Sequence, residues 1–154
     1  MSIAISYLFD RPPNADLPEQ KRNTKAIGDL SELEAALALA RAGYLVSKPL
    51  GDSHRYDLII DDGERLARVQ VKTGRLHAGV VKFNCSSSHS HRGGSASRAY
   101  HGEIEFLAVY CPETGETYLL PEGEIGNTKM HIRITPTTNQ QRKNIHWAQT
   151  YKLP

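Results

Sequence analysis

The stretch ARVQVKTGR, residues 67–75, alternates as a strand does, sending Gln70 and Lys72 to one side and Val69 and Val71 to the other. Just upstream, RYDLIIDDGER reads as a second strand entering a hairpin through a two-residue Asp62-Gly63 turn. With that turn Asp57 faces Arg68, and Gln70 lies diagonally from Asp57, roughly 7 Å away. Asp57 and Glu32 offer anionic oxygens, Gln70 a neutral carbonyl oxygen, and Val71 a backbone carbonyl. Hard oxygen donors of this kind, with positions left for water and phosphate, suit Mg2+. Lys72 beside the ion is placed to orient a water, to take its proton if its own pKa is depressed, and to stabilise charge on phosphorus oxygens. That chemistry is phosphodiester hydrolysis. The plain alternative is a solvated polar strand face, which alternation alone favours.

The element that must deliver Glu32 is a helix. TKAIGDLSELEAALALARA, residues 24–42, is rich in helix formers and stops before Gly43, with apolar residues at Leu30, Leu33, Leu37 and Ala40. On a helical wheel Ser31, Glu34, Ala38 and Arg41 form a solvent stripe, whereas Glu32 falls among Gly28, Ala35, Ala36 and Leu39. An inward carboxylate needs a partner, which is either a cation or a structural salt bridge to Arg68 or Lys72.

Strands are expected at 44–48, 55–61, 65–73, 80–84, 104–110 and 116–121, with CPETG as a hairpin turn and 131–134 as a further edge. On the hairpin of 55–73, Tyr56, Leu58, Ile60, Val69 and Val71 form the core face. CSSSHSHRGGSASR, residues 85–98, reads as a mobile loop, and residues 1–23, with RPPNADLPEQKRN, as an extended arm before a single domain over 24–154. The fold class is α/β, a mixed sheet with helices on it.

Eleven of the seventeen acids precede Arg65, while 65–102 holds seven Lys/Arg, four His and no acid. After Glu124 there are five bases and again no acid. A fold that joins these two stretches creates a positive surface for phosphates. Cys85 and Cys111 are too few for a disulfide framework, and no run approaches a membrane span, so a reduced, cytoplasmic protein with no membrane partner is expected. HSH at 89–91 lacks a third ligand at a metal spacing. Arg75, Lys82, Ser86, Ser87, Ser88, Arg92 and Arg98 are candidates to grip a DNA backbone, and Tyr100 or Trp147 to stack on a base.

The glutamate of GDLSE, then RYDLIIDDG, then VQVKTGR resemble the core of the PD-(D/E)xK nuclease superfamily. The likeness is greatest to its group I intron-associated homing endonucleases, which carry Gln for the motif's acid. It continues through YHGEIEFLAVYCPETGETYLLP to NIHWAQTYKL, over about residues 24–154. The resemblance implies a restriction-endonuclease-like core, an active site of Glu32, Asp57, Gln70 and Lys72, Mg2+ as cofactor with Mn2+ as substitute, and DNA as substrate. Two departures stand out: Tyr56 precedes Asp57 where the motif has proline, and Gln70 lowers the site's negative charge by one. Cutting both strands of a duplex with one site per chain implies a homo-oligomer, dimer or tetramer, or sequential visits. Junction-resolving nucleases share this core and would take branched DNA. A DNA-binding module that has lost chemistry through Gln70 would need no metal, and an assembly or inhibitor protein would bind no DNA.

Overall fold

The computed structural model describes residues 23–91, 94–137 and 143–154, so of the arm expected over 1–23 Asn23 alone is described. The Asn23 side chain accepts from the Ala26 N–H at 3.2 Å and caps α1, Thr24–Arg41. The chain turns out of α1 through Gly43, whose φ of +97° suits glycine. No helix among the described residues is long and apolar enough to cross a membrane.

Strands follow in the order β1 (Leu45–Ser47), β2 (Leu58–Asp61), β3 (Leu66–Thr73), β4 (Arg75–His77), β5 (Val80–Asn84), β6 (Ser86–His91), β7 (Gly94–Ala99), β8 (Phe106–Cys111), β9 (Glu116–Pro121) and β10 (Lys129–Arg133), then a short α2, Ala148–Tyr151. The main sheet has the order β1-β2-β3-β8-β9 and is mixed, because β3 and β8 run parallel while the other neighbours are antiparallel. α1 packs across one face of it. β10 does not extend this sheet; it joins β5 and β4 in a second, three-stranded sheet.

The leucine stripe of α1 faces the wrong way for a core. Leu30, Leu33 and Leu37 are 51%, 69% and 46% exposed, and Ser31, Ala35 and Leu39 are buried instead. Small residues let the helix lie close over β3 and β8, where a row of leucines would hold it off. Ser31, expected in solvent, donates to the Ile27 carbonyl at 2.9 Å and so accepts from the Thr73 hydroxyl at 2.6 Å. That bond pins α1 to the end of β3, next to both Glu32 and Lys72.

The β2–β3 register differs by two residues from the expected one, pairing Leu58 with Val69, Ile59 with Arg68 and Asp61 with Leu66. The connection takes four residues, not two, because aspartate side chains satisfy its backbone. Asp61 accepts from Gly63 N–H at 2.8 Å, and Asp62 from Glu64 and Arg65 N–H at 2.9 and 2.8 Å. A slip of two leaves every side chain on its face, where a slip of one would have inverted the hairpin. The consequence is that Asp57 comes level with Gln70, its N–H bonded to the Val69 carbonyl at 2.9 Å.

Two apolar layers result. Ala35 and Leu39 of α1 meet Leu58, Ile60, Val69, Val71 and Ala108 on one face. On the other, Leu107, Val109 and Leu120 meet Val81, Phe83 and Ile132 of the second sheet. Tyr56 packs with this second layer, not with Leu58 and Ile60, since it precedes β2 and stacks on His54. Gly74 lets the chain pass from β3 to β4; a Cβ there would lie 2.5 Å from Val81 Cγ1. The small, polar stretch expected as a loop forms the β6–β7 hairpin, Ser86 pairing with Ala99 and Ser87 with Arg98. Cys85 and Cys111 are free and buried.

Candidate active site

Asp57 sits where the chain enters β2, and its Oδ2 accepts from the Val71 N–H at 2.8 Å and from Gln70 Nε2. Burial pushes its carboxyl above the usual range and the Glu32 charge adds to this, while the Val71 N–H and the charges of Lys72 and Lys48 pull it down. Gln70 Nε2 donates also to the Val71 carbonyl at 3.2 Å. Asp57 Oδ2 and Val71 O therefore converge on one nitrogen, and that NH2 occupies the place from which a cation would gather the same oxygens. Turning the amide over would present Gln70 Oε1 to such an ion.

Lys72 leaves the same face of β3, and its Nζ lies 5.2 Å from the centre of the Tyr100 ring. Arg55 meets the same ring, with Cζ at 4.6 Å, so the buried Tyr100 is shared by two cations. Arg55 also donates to Glu103 at 2.7 Å, to the Ala99 carbonyl at 2.8 Å and to Ser87. It thereby fastens the base of the β6–β7 hairpin two residues ahead of Asp57. Neither Arg55 nor this use of Tyr100 was legible in advance, because both depend on the hairpin.

Glu32 points inward from α1 as expected, but its salt bridge is to Lys48 at 2.6 Å and not to Arg68 or Lys72. Arg68 pairs with Glu105 at 2.6 Å. Four expected residues, Glu32, Asp57, Gln70 and Lys72, thus line one region, with two carboxylates, an amide and a backbone carbonyl as its oxygen donors. No group of three or more His, Cys, Asp or Glu poised for a metal occurs among the described residues, so an ion here would rest on two acids, neutral oxygens and water. The donors are hard, and they fit a divalent ion such as Mg2+.

The sequence profile of the PD-(D/E)XK endonuclease family matches residues 22–154. The chain belongs to this family. Its fold matches that of a bacterial homing endonuclease, I-Ssp6803I, with a TM-score of 0.68 and 27% identity over 84% of this chain and 88% of that one. No curated protein matches the chain significantly. It is a DNA endonuclease with the restriction-endonuclease-like core expected above, and its family implies dependence on a divalent metal.

Around the site of this PD-(D/E)XK endonuclease, the second sheet joins the two acid-poor stretches of the sequence. Lys82 of β5 pairs with Arg75 of β4 on one side and His131 of β10 on the other. These three, with Thr73, Asn84 and Lys129, line a groove of about 400 Å3 that begins one residue beyond Lys72. Lys129 and His131 were not among the candidates, though their acid-free stretch was the signal. Arg75 spends part of its charge on Glu113 at 3.4 Å. Ser86 is buried, accepting from the Ser97 hydroxyl at 2.7 Å, and Arg98 pairs with Glu103. Arg92 and the side chains of His89 and His91 lie outside the described residues.

Proposed function

We propose that this endonuclease uses Mg2+, with Mn2+ as substitute, to cut double-stranded DNA at a specific site, as a cytoplasmic homo-oligomer, dimer or tetramer. The observation that carries the reading is the convergence of Asp57 Oδ2, Val71 O and the Gln70 amide beside Lys72. A divalent ion bound there would acidify a water and neutralise phosphate charge. Asp57 and Glu32 would hold the ion, and the Gln70 side-chain oxygen and the Val71 carbonyl could complete its protein ligands. Lys72, steadied against Tyr100, hydrogen-bonds the attacking water and a phosphate oxygen. In the metal-free site the neutral Gln70 leaves two carboxylates, Glu32 and Asp57, facing Lys48 and Lys72, so no excess negative charge is built in against the scissile phosphate. Arg75, Lys82, Lys129 and His131 take successive backbone phosphates, which position the duplex without reading its sequence.

A plasmid-nicking assay tests this. Mg2+ and Mn2+ support cutting, and Ca2+ supports binding without it. DNA binding that needs no metal, with no nicking under any of the three, would instead identify a non-catalytic module. Preference for four-way junctions over linear duplexes would move the substrate to branched DNA.

A further inference from the structure

Lys48 follows directly after β1, outside every group read from the sequence, and its ammonium donates to Glu32 Oε2 at 2.6 Å. Its side chain is 66% exposed while that of Glu32 is 24% exposed, so the pair sits at the mouth of the site. The same ammonium acts electrostatically on Asp57, which is therefore in range of both lysines. Lys72 is braced by the Tyr100 ring, and Lys48 hangs on a solvated four-carbon stem. A divalent ion drawn to Glu32 and Asp57 must take the carboxylate that Lys48 now holds.

We propose that Lys48 is a displaceable counter-ion, which holds Glu32 in the metal-free site and yields it to an arriving divalent cation. This rests on reading the site as a metal site. Arg55 shows what a structural cation looks like in the same neighbourhood: it is mostly buried, holds Glu103 and reaches the hairpin backbone as well. Lys48 differs because an exposed ammonium regains water when it leaves, so release is cheap. Lys48 thus lowers metal affinity while keeping two neighbouring carboxylates from repelling each other.

The test is a Mn2+ titration by calorimetry without DNA. Lys48→Met should bind Mn2+ more tightly than wild type, by up to about fivefold, the range open to an exposed pair. Lys48→Arg should stay near wild type, and Glu32→Gln should remove the gain. Binding that depends on Glu32 but is unchanged or weakened in Lys48→Met overturns the counter-ion role alone. Binding indifferent to both Glu32→Gln and Asp57→Asn overturns the metal reading and this proposal with it.

Discussion

Lys72 stands on β3 with an aromatic ring and a carboxylate for neighbours, whereas Lys82, ten residues on, stands on β5 between an arginine and a histidine. Around Lys72 the charges alternate in sign and are tied by short bonds to buried backbone. Around Lys82 basic side chains predominate, with Glu113 pairing with Arg75, and like charges on neighbouring strands repel. A fold keeps such a row where a polyanion supplies the missing charge. The two regions should therefore fail differently, the first all at once and the second in proportion to the charge removed.

The largest effect belongs to the first region. Asp57→Ala and Lys72→Ala should each lower the single-turnover cleavage rate by about 10²–10⁴-fold, the range of a lost acid–base or charge-stabilising group. Both proteins should remain folded by circular dichroism and should still bind DNA at low salt. Cleavage retained in either one would remove that residue from the chemistry.

In the groove, Lys82→Ala combined with Lys129→Ala should leave the rate at saturating DNA near wild type and weaken affinity. The slope of log K against log salt should become shallower by about 0.9 for each phosphate that the protein ceases to neutralise, close to two in all. An unchanged slope would mean that the duplex does not follow this groove.

What could be read in advance divides along the same line. The candidate site's arrangement was legible because strand alternation fixes faces: the register slipped by two, yet Asp57, Gln70 and Lys72 kept their side. Glu32 was legible as inward because its helical neighbours are small. The leucines of α1 misled because apolar periodicity does not say how closely a helix must approach a sheet. Lys48 and Arg55 could not be found, since each acts on a residue distant in sequence through a loop whose path no pattern specifies. The β6–β7 hairpin was missed for a related reason: its serines and alanines carry no apolar alternation, and Arg55 ties its base from another element.

Gln70 sharpens the comparison from inside the site. Gln70→Glu would set a second carboxylate against Asp57 Oδ2, where an amide N–H now donates. The loss of that bond costs about 1–3 kcal/mol without metal, lowering Tm by about 2–4 °C per kcal/mol in a chain of this size. Mg2+ should restore part of it by neutralising both acids. If the variant then binds Mg2+ more tightly and still cuts, the amide is only a weak ligand. If it binds Mg2+ and does not cut, the neutral charge of Gln70 is what matters.

The smallest effect lies at the joint between the two regions. His101 follows Tyr100, and its ring nitrogens lie 2.6 Å from Glu122 Oε1 and 2.6 Å from Asn127 Oδ1. Two oxygen acceptors require two donors, so the ring is best satisfied as imidazolium, and Asn127 first and then Glu122 raise its pKa above the ordinary value. A raised folded-state pKa contributes stability in full below about 6.5, the unfolded value, and loses it as pH rises through the folded one. Wild type should therefore melt above His101→Ala at pH 6, by a margin that shrinks toward pH 9. A melting difference independent of pH would show that His101 only packs there, leaving the two regions joined by the apolar layer between their sheets.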